Sequence, residues 1–188
     1  LKVDPTLLKD CAKGNRKAQF ALYQQCYPTL MEVCLRYRKN EADAAAMLNQ
    51  AFLKILSQLH RRPTKAPFEA WAKRITINTL IDDFRKNRKV KELIAATDIQ
   101  ELPESYSGVN YNEAEQQFDA EQLEAMIRQL PPVSAKVFNL YAVDGYPHAE
   151  IAELLGISAG TSRWHLASAR KKLQDMMKKN MNSPKIAK

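Results

Sequence analysis

Residues 146–173, YPHAEIAELLGISAGTSRWHLASARKKL, constrain the fold more than any other stretch of this chain. Pro147 suits the first position of a helix, where its missing N–H would be unpaired in any case. Ile151, Ala152, Leu154 and Leu155 then share one apolar face. Gly156 stands where that helix ends and the backbone needs a positive φ, which glycine adopts without strain. Ile157 is expected as a buried plug, and Ser158 as the N-cap of a second helix. Ser162, Leu166, Ala169 and Leu173 follow at helical spacing and form one buried stripe. Two short helices joined by a tight glycine turn make a helix-turn-helix.

The opposite face of the second helix carries Gly160, Trp164, Ala167, Ser168 and Lys171, flanked by Thr161 and Arg163. Small residues let such a helix enter a major groove, and its hydroxyls and cations can meet base edges and phosphates. No acid lies between Glu153 and Asp175, so nothing here repels a phosphate. The rival reading of this stretch alone is an ordinary αα-hairpin with a solvated basic face. The glycine turn, the capping serine and the acid-free helix together favour DNA.

Charge is spread unevenly along the 188 residues, whose formal net charge is +8. Residues 1–90 hold 18 Lys and Arg against 8 acids, whereas residues 91–118 hold 1 against 6. Residues 119–159 hold 2 against 6, and residues 160–188 hold 8 against 1. Two basic blocks separated by an acidic middle suggest two nucleic-acid contacts. Nine prolines, five glycines and many Ala, Leu, Lys, Gln and Glu favour helices over sheet. No apolar run is long enough to span a membrane and no signal peptide is apparent, so a cytoplasmic protein without membrane insertion is expected. Cys11, Cys26 and Cys34 read as free buried thiols. His60, His148 and His165 have no carboxylate or cysteine partner at catalytic or metal spacing. An enzyme is thus the least expected class, and no metal or cofactor is expected.

Helices are expected from Thr6 to about Gly14 and from Arg16 through Tyr27, with Pro28 marking a start or kink before Leu30–Tyr37. Another spans Ala42–Leu59, with Leu48, Ala51, Phe52, Ile55, Leu56 and Leu59 on one face. Residues 60–67, HRRPTKAP, form a cationic loop. A helix from Phe68 to Lys89 has Phe68, Trp71, Ala72 and Ile75 on one side and Ile77, Ile81 and Phe84 roughly opposite. Between them runs a polar stripe of Arg74, Asn78, Asp82, Arg85 and Lys89, with Trp71 at its edge. Such a stripe suits a ligand, or is simply the solvated edge of a core helix. Residues 92–117 read as a flexible acidic linker. Helices resume near Phe118, Pro131-Pro132 stops one, Val133–Val143 forms the next, and the last dozen residues are a frayed basic tail. The fold class is therefore all-α: two small helical domains, residues 1–91 and 118–188, joined by a flexible linker, the second containing the helix-turn-helix.

Two segments carry a family resemblance. PFEAWAKRITINTLIDDFRKNRK resembles the promoter-melting segment of bacterial RNA polymerase sigma factors. LPPVSAKVFNLYAVDGYPHAEIAELLGISAGTSRWHLASARKKL resembles their C-terminal domain. The small two-domain, extracytoplasmic-function type is the match, over roughly residues 6–90 and 118–178 in the right order.

The resemblance implies a transcription initiation factor with core RNA polymerase and promoter DNA as partners, and an anti-sigma protein as an open third. It places Asn78, Thr79, Asp82, Arg85 and Lys86 at the −10 element, with about Arg61–Pro67 as the loop for an extruded base; Arg74 of the polar stripe and Arg88 of the cationic run 85–91 are expected DNA contacts beside them. It places Thr161, Arg163, Trp164, Ser168 and Arg170 at the −35 element, and Lys171 on the exposed face is an expected phosphate contact beside them. The polymerase-binding helix corresponds to Asp43–Leu59, with Asp43, Met47, Gln50, Ala51 and Lys54 as contacts. Ala45, Ala46 and Gln50 stand where the family usually carries acids, and Ser162 where it carries an apolar residue. Two rivals stay open: a dimeric helix-turn-helix repressor, and a sigma-like adaptor with weakened polymerase binding.

Overall fold

The computed structural model describes residues 1–63, 65–92 and 120–182, and every regular element among them is helical. Side chains are described for residues 1–63, 65–87 and 122–180. Contacts divide the chain into two compact units, Leu1–Ile94 and Ala95–Lys188. The expected linker, residues 92–117, lies almost wholly outside the described residues.

The first unit contains α1 (Pro5–Ala12), α2 (Arg16–Tyr37), α3 (Glu41–Gln58), a 3₁₀ turn (Leu59–Arg61) and α4 (Phe68–Glu92). Local sequence starts these helices. Asp4 accepts from the Thr6 amide, Asn15 from Lys17 and Ala18, and Asn40 from Asp43, each satisfying N–H groups that a helix start leaves open. Between α1 and α2 the chain reverses at Gly14, at φ 82°. Helices α2, α3 and α4 pack pairwise, with α1 against α2. Leu22, Leu30 and Val33 of α2 meet Leu48 and Ile55 of α3 and Leu80 and Ile81 of α4 in the core.

Pro28 neither starts a helix nor divides one: α2 runs through it for 22 residues. Proline removes one backbone donor, leaving the Gln24 carbonyl without its helical partner. Gln24 and Pro28 both face solvent, so water can satisfy that carbonyl. Meanwhile Leu22, Cys26, Leu30 and Val33 keep the other side of the helix buried. Cys11, Cys26 and Cys34 are free and buried. Burial pushes the Cys26 thiol up to about 12 and Cys34 to about 11, so both act as small apolar residues.

The second unit contains α5 (Ala120–Arg128), α6 (Pro132–Phe138), a wider π-type turn (Asn139–Val143), α7 (His148–Leu155) and α8 (Ala159–Asn182). The single helix expected over Val133–Val143 is thus two elements. Val137, Phe138, Asn139 and Leu140 are four consecutive buried residues, more than one face of a regular α-helix presents. The wider turn, closed by the Asp144 amide on the Asn139 carbonyl, accommodates them. Helices α5, α6 and α7 all pack on α8. The tail expected to fray is helical to Asn182, and residues 183–188 lie outside the described residues. No helix among the described residues is long and apolar enough to cross a membrane.

Candidate nucleic-acid interface

The turn between α7 and α8 follows its residue chemistry. Pro147 occupies the N-cap of α7 rather than its first helical position, and its carbonyl accepts from the Ile151 amide. Gly156 is left-handed, at φ 66° and ψ 42°. Ile157 returns its amide to Ala152 but is only half buried, not the expected plug. Ser158 caps α8, its Oγ accepting from the Thr161 amide at 2.9 Å. Ser162, Leu166, Ala169 and Leu173 are all buried, as their spacing requires.

Ser162 is a buried hydroxyl in an apolar stripe, and it has a partner: His148 Nδ1 lies 2.9 Å from its Oγ. A second pair mirrors it, with buried Ser134 of α6 3.0 Å from His165 Nδ1 of α8. Both histidines therefore serve to complete buried serines, a role that metal and catalytic spacings do not reveal.

Outside the stripe, Thr161, Arg163 and Lys171 are exposed, and Trp164, Ser168 and Arg170 are half buried. Trp164 lies edge-on to His165, centroids 4.6 Å apart, so part of the indole is held by the protein. Arg170 sits over the Tyr141 ring at 5.9 Å, and that ring stacks on His148 at 4.5 Å. Burial, then Arg163 and Arg170, hold the His148 pKa below its ordinary value.

In the first unit α4 is covered on two sides and open along a strip. Arg74, Asp82, Arg85 and Lys86 are exposed, and Arg88 falls outside the described side chains. Thr79 does not belong to the strip: it is 3% exposed, and its hydroxyl donates to the Ile75 carbonyl. It lies one residue from Asn78, about 100° round the helix, which carries it into the core. Asn78 is half buried, and its Oδ1 is out of solvent with no hydrogen-bond partner. Trp71 borders the strip, half buried, 5.9 Å from the Phe68 ring. In the loop before α4, Arg62 donates to the Ala66 carbonyl at 2.6 Å, shaping the loop, while Arg61 and Lys65 remain exposed.

The expected polymerase contacts divide in the same way. Asp43, Gln50 and Lys54 are exposed on α3, but Met47 is 5% and Ala51 0% exposed. Met47 and Ala51 share the core face with Leu48 and Ile55, so they support the surface and do not form it. Leu53 was missed: it is 68% exposed on the outer side. Its position off the apolar stripe of α3 was the available signal. Lys54 also reaches Asp82 of α4 at 3.5 Å, which brings the two proposed surfaces side by side. Near the start of α3, Arg38, Asp43, Ala46, Met47, Asp83 and Asn87 line a cavity of about 250 Å³.

Family models match both halves: Sigma-70 region 2 over residues 22–90 and Sigma-70 region 4 over residues 120–173. The chain belongs to the sigma-70 family, in its extracytoplasmic-function group. This is a family of non-enzymatic transcription initiation factors. The sigma factor is 25% identical over 165 residues to the ECF RNA polymerase sigma factor SigE of Mycolicibacterium smegmatis, covering 85% of this chain and 61% of that one. To the RNA polymerase sigma factor CnrH of Cupriavidus metallidurans it is 25% identical over 179 residues, 93% of this chain and 94% of that one. It therefore spans about three fifths of SigE and nearly all of CnrH. Its fold resembles that of the sigma factor RpoE of Bartonella quintana, solved with the anti-sigma factor NepR. The TM-score is 0.51 at 17% identity, over 84% of this chain and 97% of that one.

Proposed function

We propose that this sigma factor binds core RNA polymerase and directs it to promoters by reading a −10 and a −35 element. Residues 1–91 bind polymerase and open the −10 region, residues 118–188 read the −35 element, and the acidic stretch 92–117 tethers the two. The observation that carries the reading is the outer face of α8. Thr161, Arg163 and Lys171 are exposed there, with Trp164, Ser168 and Arg170 beside them, while the buried stripe has its polar group satisfied. A helix whose first sixteen residues, 159–174, hold no acid suits a major groove when so presented. Its cations, with those at the end of α4, supply affinity that falls with salt as counterions are released.

At −10 the supporting feature is Asn78, whose buried Oδ1 lacks a donor. An unmade hydrogen bond of this kind costs about 1–3 kcal/mol, and the amino edge of an extruded base would supply the donor. On α3, Leu53 with Gln50 and Lys54 gives polymerase an apolar contact with a polar rim. The protein carries out no chemistry of its own, acts in the cytoplasm with DNA and polymerase, and is a candidate for capture by an anti-sigma protein. The adaptor reading is favoured by one observation, Ala45, Ala46 and Gln50 in place of acids. Run-off transcription by purified core polymerase with and without the protein decides the matter. Promoter-dependent product is expected, whereas polymerase binding without product selects the adaptor.

A further inference from the structure

Arg163 and Arg170 stand two turns apart on α8, about 10 Å along its axis and nearly on one line. His148, the first residue of α7, meets α8 at Ser162, about a quarter turn round the helix from that line. Tyr141, from the 139–143 turn, backs the imidazole and carries Arg170 on its ring. Acids nearby in the chain are Asp144, in the loop before α7, and Glu150, in its first turn. From α8 the charges acting on the imidazole are the two guanidinium groups.

We infer that His148, Arg163 and Arg170 together seat one DNA backbone phosphate, and that its arrival draws one proton from solvent onto His148. The inference rests on the reading of α8 as a DNA-binding helix and adds a residue of α7 to it.

The chemistry of the ring permits this. Nδ1 already meets Ser162 Oγ at 2.9 Å, which leaves Nε2 for a ligand. A protonated ring donates from both nitrogens, so Nδ1–H can keep the serine while Nε2–H meets a phosphate oxygen. Without DNA, burial and the two arginines disfavour the charged ring and lower its pKa. A phosphate reverses the balance by screening both guanidinium groups and adding an anion beside the ring. Proton uptake and DNA binding are then linked, each strengthening the other. Affinity rises as pH falls through the pKa of the complex and levels off below that of the free protein. Each unit between the two corresponds to about tenfold in affinity.

The test uses the full chain with a short mixed-sequence duplex, because a phosphate contact does not depend on sequence. Binding heats in two buffers of different ionisation enthalpy count the protons taken up. The NMR titration of the His148 ring C–H signal is followed alone, with duplex, and with inorganic phosphate. Uptake approaching one proton, with the His148 titration moved upward by duplex, is the expected result. In His148→Gln, which retains a donor for the serine, binding should weaken and its pH dependence flatten. Salt-sensitive binding with an unmoved His148 titration overturns this inference and leaves the DNA reading intact. No binding of duplex, with polymerase present or absent, overturns the DNA reading itself. A response to inorganic phosphate alone shows a free-anion site and overturns the backbone assignment. Should His148→Gln fail to fold, the titration of the parent protein still decides.

Discussion

Helices α4 and α8 are the longest described helices of their units, 25 and 24 residues, and each leaves a polar strip uncovered. They differ in how their less exposed polar groups are completed. On α8, Ser162 meets His148 of α7, and His165 meets Ser134 of α6, so the helix is pinned from two neighbours. On α4, Thr76 and Thr79 satisfy themselves on carbonyls one turn back. The Asn78 Oδ1 is left without a partner. A double helix presents a regular groove, and a helix that reads it gains from being fixed beforehand. An extruded base arrives only after strands separate, and a group waiting for it stays incomplete until then. The contrast fits the two proposed tasks, and variants at these positions can break or sharpen it.

The largest expected effect tests how far α8 depends on its apolar stripe. Leu166→Ala removes a buried side chain between α8 and its neighbours and should cost about 2–5 kcal/mol. Urea denaturation of the full protein should show the loss in the transition of the second unit. A change within experimental error would mean that the serine–histidine pairs, not the stripe, hold the helix.

Asn78→Ala is expected to separate function from stability. Removing a buried acceptor that has no donor relieves a cost, so the thermal midpoint should hold or rise slightly. Promoter opening should fall on the order of 10- to 100-fold, equivalent to about 1–3 kcal/mol for the missing base contact. Permanganate reactivity of unpaired thymines and run-off product report it, on paired and pre-opened −10 templates. A pre-opened template removes the unpairing cost and should restore much of the activity. Equal opening by variant and parent on paired DNA would remove Asn78 from the site.

The corresponding deletion in the second unit should have the opposite sign for stability. Ser134→Ala strips a buried partner from His165 and should cost about 1 kcal/mol. Half-buried His165 can recover part of this from water. If Ser134→Ala and Asn78→Ala shift the denaturation midpoints alike, the contrast between completed and waiting polar groups fails.

Most of the architecture was legible because periodicity and punctuation agree. Gly156 and Ser158 lie where the helices turn, and Leu166, Ala169 and Leu173 are buried as spaced. The helix start expected at Pro28 does not occur, because whether a proline interrupts a helix depends on whether the freed carbonyl can reach water, which is a property of tertiary burial. The site was legible in its exposed cations and only partly in its other members. Thr79, Met47 and Ala51 were assigned through the family pattern, and local helix phase puts all three in the core. Leu53 and His148 escaped because each depends on a neighbouring helix: one for being left uncovered, the other for its serine.

The smallest expected effect concerns a contact between the two proposed surfaces of the first unit. Lys54 of the proposed polymerase surface lies 3.5 Å from Asp82 of the proposed −10 strip, and both side chains are about half exposed. Water and salt screen such a pair, so a double-mutant cycle on stability should give a coupling below about 1 kcal/mol that fades with added salt. Its consequence for binding should be easier to see than its contribution to folding. Asp82→Ala removes an exposed negative charge from the strip that carries Arg74, Arg85 and Lys86 and should tighten sequence-independent binding of single-stranded DNA modestly, most at low salt. Lys54→Ala leaves that acid unneutralised and should do the reverse. If both substitutions change DNA binding in the same direction, the pair positions α3 against α4 rather than tuning the charge of the strip, and Asp82 is then a structural residue.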